Sequence, residues 1–135
     1  YMRRGSRILQ MASSAAFLPQ PDFAVYAATK AYVLSFSRAL GEELKEAGIY
    51  VTSICPGPVD TPFFEIAEKS GSTLAVKKYA MVSAQRVVAL ALRDSALRRS
   101  MSVCGLPMKS FLVLSKILPH GILLKAAELM KERGM

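Results

Sequence analysis

Two short apolar runs separated by one long helical stretch constrain this chain more than any other feature. Ile49 to Cys55 (Ile-Tyr-Val-Thr-Ser-Ile-Cys) is rich in β-branched residues and ends at Pro56-Gly57-Pro58, a forced turn. Arg7 to Ser13 (Arg-Ile-Leu-Gln-Met-Ala-Ser) is a second apolar run, ending in small polar residues, and reads as a buried strand. Between them, from about Ala24 to Ala47, the pattern turns helical. Val25, Tyr32, Val33, Phe36, Leu40 and Leu44 recur at helical spacings, which predicts one broad apolar face, and Gly48 follows as a helix stop. Strand, helix and strand with short links make a βαβ unit. The two strands are therefore expected to run parallel, as neighbours or near-neighbours, with a right-handed crossover and the helix packed on one face.

The remaining segments give softer signals. Ser14 to Phe23 holds Pro19 and Pro21 and reads as a loop. Pro62 to Tyr79 is polar and irregular, with room for a short helix at Phe63 to Lys69. Ser83 to Arg93 is amphipathic, with Ser83 as N-cap. Met101 to Cys104 suits a short strand. Lys109 to Leu118 and Ile122 to Arg133 are apolar-basic helices split by Pro119-His120-Gly121.

Composition narrows the classes of protein this can be. A chain of 135 residues is one domain of ordinary size, and 52% hydrophobic with 21% charged residues excludes intrinsic disorder. Cys55 and Cys104 are too few for a disulfide scaffold and, with the single His120, cannot make a four-ligand zinc site. No metal is expected, and the cysteine usage fits a reducing, cytoplasmic setting. No run approaches the roughly 20 apolar residues of a bilayer span, and no secretory signal opens the chain. The net charge of +8 points to an anionic partner without choosing one.

Tyr26 and Lys30 stand four residues apart at the start of the predicted helix, which puts both side chains on one face. A tyrosine hydroxyl is a weak acid, and a neighbouring ammonium favours its phenolate. That is how a protein makes a general acid/base of tyrosine. Ser13 lies at the carboxyl end of the first strand, and Pro56-Gly57-Pro58-Val59-Asp60-Thr61 follows the second. Ligands of open parallel sheets bind just outside strand carboxyl ends, so three segments are expected to converge on one crevice.

Met11-Ala-Ser-Ser-Ala-Ala, then Tyr26-Ala-Ala-Thr-Lys30, then Cys55-Pro-Gly-Pro-Val-Asp-Thr61 resembles the short-chain dehydrogenase/reductase family over roughly the first half of the chain. The resemblance implies a Rossmann-like, doubly wound parallel α/β sheet and an NAD(P)-dependent oxidoreductase that interconverts an alcohol and a ketone or aldehyde. It makes Tyr26 the acid/base. Lys30 would assist it and hydrogen-bond the nicotinamide ribose. Ser13 would hold the substrate oxygen, with Ser14 as the adjacent candidate. Pro56, Gly57 and Val59 would line the nicotinamide, and Thr61 would contact the carboxamide or the pyrophosphate. No pair of glycines satisfies a G-x-G start, so the sequence reads as the carboxyl-terminal half of such a domain. On that reading residues 1–61 carry the catalytic core, and residues 62–135 the substrate-loop region and carboxyl-terminal helices. The half alone would not bind NADP or NAD, and the choice between them lies outside it. A homo-oligomer is a further implication.

Cys55 reads as a small core residue, Cys104 as packing near the short strand, and His120 as a solvated loop residue. From Arg98 to Met135 there are seven Lys/Arg and two Asp/Glu among dense apolar residues. These helices suit a pocket cap or a subunit contact, or else peripheral membrane contact through residues 108–133. Nucleic-acid binding is not expected, because no reader motif appears. The competing readings are a non-catalytic membrane-surface or interaction module that retains the fold, and a related epimerase or dehydratase. The Pro56-Gly57 turn argues against the latter. No charged cluster advertises an acidic ligand, which favours an apolar carbonyl or alcohol substrate.

Overall fold

A computed structural model describes residues 1–62 and 81–132. The helix expected at Phe63 to Lys69, and the loop around it, lie outside the described residues. The elements are β1 (Arg7–Met11), a 3-10 turn (Ser14–Phe17), α1 (Ala24–Glu43), β2 (Tyr50–Ile54), β3 (Val59–Asp60), β4 (Val82–Ser83), α2 (Ala84–Ala96), β5 (Met101–Ser102), α3 (Leu106–Ile117) and α4 (His120–Glu132). The proline-bearing stretch after β1 thus holds a 3-10 turn, and His120 opens a helix rather than sitting in a loop.

β1, β2 and β5 form a parallel sheet in the order β1-β2-β5, and β3 and β4 pair as a separate parallel ribbon. β1 and β2 are direct neighbours, in register from Arg7 opposite Tyr50 to Met11 opposite Ile54. Side chains alternate across β2, so its two faces feed two cores. Cys55, just beyond β2, packs with Ala12, Phe17, Leu34, Val103 and Met108, against α1 and α3. Ile54 packs with Val87, Ala91 and Cys104, against α2. Helices on both faces of a parallel sheet make the doubly wound α/β arrangement.

The buried face of α1 keeps part of the one its hydrophobic residues predict, with Val33, Leu40 and Leu44 half-buried, and departs from it elsewhere. Ala27, Leu34 and Ser37 are buried, whereas Val25, Tyr32 and Phe36 are exposed, with the Tyr32 and Phe36 rings stacked at 6.0 Å. The reason is size. Ala27, Ser37 and Gly41 let the helix approach the sheet closely, so that a Cβ on Gly41 would stand 3.6 Å from Val51 Cβ. Aromatic side chains on that face would hold the helix away.

α2 starts as expected, with Ser83 Oγ accepting from the Arg86 N–H at 3.4 Å. Its far end is fastened to the sheet by the buried carboxylate of Asp94. The Ser102 hydroxyl donates to Asp94 at 2.9 Å, and the Arg99 guanidinium at 3.0 Å. Burial of Leu34 at the α1 interface yields a direct test. Leu34→Ala should lower stability by about 2–5 kcal/mol, the range for truncating a buried leucine, read as a drop in the urea midpoint. An unchanged midpoint would show that α1 does not pack on the sheet through this face.

Candidate active site

The β1–β2 register carries the chain ends beyond both strands to the same edge of the sheet. There the Ser14 N–H donates to the Pro56 carbonyl at 2.9 Å. Ser13 is buried and extended. Its Oγ accepts from the Ala15 N–H at 3.1 Å, capping the 3-10 turn. With that bond made by a lone pair, the hydroxyl hydrogen is left to donate to another acceptor.

Tyr26 and Lys30 occupy the first turns of α1. The Lys30 ammonium lies 5.7 Å from the Tyr26 ring centroid and donates to the Met11 carbonyl, the last of β1, at 2.9 Å. The lysine therefore reaches from the helix to the carboxyl end of the strand, holding its charge beside the tyrosine. Phe23 meets the Tyr26 ring edge-on, centroids 5.8 Å apart, and the Thr29 hydroxyl donates to the Tyr26 carbonyl at 2.7 Å.

The third segment is the turn after β2. Pro56 and Gly57 are half-buried and Pro58 is buried. The Pro58 carbonyl accepts from the Val82 N–H at 3.0 Å, which ties the turn to β4. Val59 belongs to β3, and the Thr61 hydroxyl donates to the Val59 carbonyl at 3.3 Å. The turn is thus joined through Ser14 to the segment that follows β1, and Lys30 joins the helix to β1.

Met108 was invisible to sequence reasoning as part of this site. It is buried at the start of α3, and a Cβ on Gly57 would lie 2.6 Å from its Sδ. At Gly57 a helix side chain stands where a Cβ would be, whereas the sequence shows only a turn residue between prolines. Cys55 contributes packing: it is fully buried, and desolvation raises its thiol from the ordinary 9.0 to about 12, against smaller opposing effects of the Ser13 backbone and Arg38.

The lysine, tyrosine and proline-glycine turn around this edge offer a cation, a hydroxyl and a fixed, half-open turn, groups that could hold the nicotinamide-ribose end of a dinucleotide. They include no glycine-rich phosphate cradle. The profile of the family described as short chain dehydrogenase matches residues 1–71. An uncharacterized oxidoreductase of Staphylococcus epidermidis is 47% identical over 58 residues, which is 43% of this chain and 25% of that protein. The 17-beta-hydroxysteroid dehydrogenase type 3 of Mus musculus is 40% identical over 60 residues, 44% of this chain and 20% of that one. A short-chain dehydrogenase from Sphingobium yanoikuyae, solved in complex with NADPH, superposes with a TM-score of 0.62 at 24% identity, covering 96% of this chain and 45% of that one. The chain accordingly covers about a quarter or less of these two curated relatives and under half of the solved structure.

Two outcomes follow from the packing around the turn. Gly57→Ala should cost about 1–3 kcal/mol through overpacking, and the penalty should shrink when Met108→Ala is also present. A double-mutant cycle on urea midpoints reads this coupling, and strict additivity would refute the contact. Cys55 should resist alkylation in the folded protein at mildly alkaline pH and react once unfolded, as mass spectrometry can score. Because its folded value lies above the unfolded one, its contribution to stability is present in full below about pH 9 and is lost as pH climbs towards 12.

Proposed function

Because the chain belongs to the short-chain dehydrogenase family, we propose that it supplies the catalytic part of an NAD(P)-dependent oxidoreductase interconverting an alcohol and a ketone or aldehyde. In this reading residues 1–135 are the carboxyl-terminal part of one Rossmann-fold domain. Residues 1–61 hold the catalytic groups, and residues 62–135 shape the substrate side. The observation that carries the reading is Lys30, which spans from beside the Tyr26 ring to the Met11 carbonyl at the strand edge.

A nicotinamide held at this edge would supply the hydride, which no side chain can provide. As the carbonyl carbon is reduced, negative charge gathers on its oxygen. Ser13 Oγ–H and Tyr26 Oη–H are the donors proposed to meet that charge. Tyr26 gives its proton to the oxygen, and Lys30 stabilises the tyrosinate left behind. In the reverse direction the tyrosinate accepts the alcohol proton. Lys30 would also hold the ribose, Pro56, Gly57 and Val59 would line the nicotinamide, and Thr61 would contact its carboxamide or the pyrophosphate. An apolar substrate is in keeping with the hydroxysteroid in the name of the mouse relative.

The test uses the protein with its dinucleotide-binding portion present, assayed by NAD(P)H absorbance on a panel of apolar ketones. Tyr26→Phe should lower kcat by about 10²–10⁴-fold while cofactor still binds, and Lys30→Ala should damage both cofactor affinity and rate. Near wild-type turnover of Tyr26→Phe would remove Tyr26 as the acid/base.

A further inference from the structure

α3 buries one face and turns an unusual one outward. Met108, Phe111, Leu112 and Ser115 face inward, with the Phe111 ring 6.1 Å from that of Phe17. Leu106, Lys109, Val113, Lys116 and Ile117 fall together on the opposite face, where Leu106 is 80% and Ile117 71% exposed. An outer helix face in water is ordinarily polar.

The same spacing recurs on α4. Leu106, Lys109 and Val113 are matched by Ile122, Lys125 and Leu129, an apolar residue followed by a lysine three positions on and a second apolar residue four beyond that. All six are exposed. No carboxylate among the described residues pairs with any of Lys109, Lys116 or Lys125.

We propose that the outer faces of α3 and α4 dock on an anionic lipid bilayer, lying in its interface. The lysines decide between this and a protein partner. Lysine is depleted where proteins bury surface against one another. At a bilayer surface its stem lies along the apolar side chains while the ammonium meets the phosphate headgroups. Among the described residues no helix is long and apolar enough to cross a membrane, so the faces lie on the bilayer rather than span it. Met108 seats α3 against Gly57, so the docked helix is the one that bounds the candidate crevice, and an apolar substrate could enter from the lipid side.

Flotation of the full protein with phosphatidylcholine vesicles, with and without about one-quarter phosphatidylglycerol, tests this without any turnover. The wild type should float with the anionic vesicles and be released by salt. Lys109→Glu with Lys116→Glu, and separately Val113→Ser with Ile117→Ser, should each reduce the floated fraction about tenfold or more. Melting temperature and turnover of a water-soluble substrate should stay near wild type. Failure to float, equal flotation with neutral vesicles, or flotation indifferent to both double variants would overturn the proposal. So would a dimer that Val113→Ser with Ile117→Ser turns into a monomer without any flotation of the wild type, since the face would then join two copies.

Discussion

The parallel pairing of β1 with β2 is the constraint from which the rest of the structure follows. Its register sets Met11 opposite Ile54, so the residues after each strand emerge side by side. That brings Ser14 to Pro56, and places the Met11 carbonyl where the Lys30 ammonium reaches it. A slip of one residue would exchange the faces of β2. Cys55 would meet α2, Ile54 would meet α1, and both cores would be mismatched.

Much of this arrangement is legible in the sequence because it rests on local chemistry. The β-branched run before Pro56, the helical spacing before Gly48 and the N-cap at Ser83 each depend on a few adjacent residues. The candidate site is legible for a related reason. Tyr26 and Lys30 share a helix face, and the ends of two parallel strands must share an edge once the crossover is accepted. What escapes the sequence depends on distance across the fold. Hydrophobicity picked Val25, Tyr32 and Phe36 for the buried face of α1, but the sheet selects small residues that permit close approach. Met108 and Gly57 lie far apart in sequence, and nothing in either suggests that one fills the space the other leaves. Asp94 lies just past the amphipathic stretch and nothing next to it in sequence marks it as buried, yet Ser102 and Arg99 satisfy its oxygens inside the fold.

The site is built so that its charged member is held by the backbone. A free lysine on a helix sweeps many rotamers, and fixing it costs entropy. Here the Met11 carbonyl accepts one of the three ammonium hydrogens, which restricts the side chain while leaving donors for other partners. Position and spare hydrogen-bonding capacity come from the same contact.

Each rung of the β1–β2 ladder joins residues 43 positions apart, as Arg7 to Tyr50 shows, and β2 meets β5 over 48, as Ser53 to Met101 shows. No strand in this sheet can find its partner through neighbours in sequence. Loop-closure entropy must be met before any rung is rewarded, which makes such topologies slow to form compared with helical bundles. α1 eases the first closure, since coiling its 20 residues shortens the span between the strands before they meet. Until they do, Ile54 and Leu9 stand open to other chains. The geometry that aligns the candidate site's edge in the finished fold therefore also sets the interval during synthesis when the chain is most exposed to mispairing.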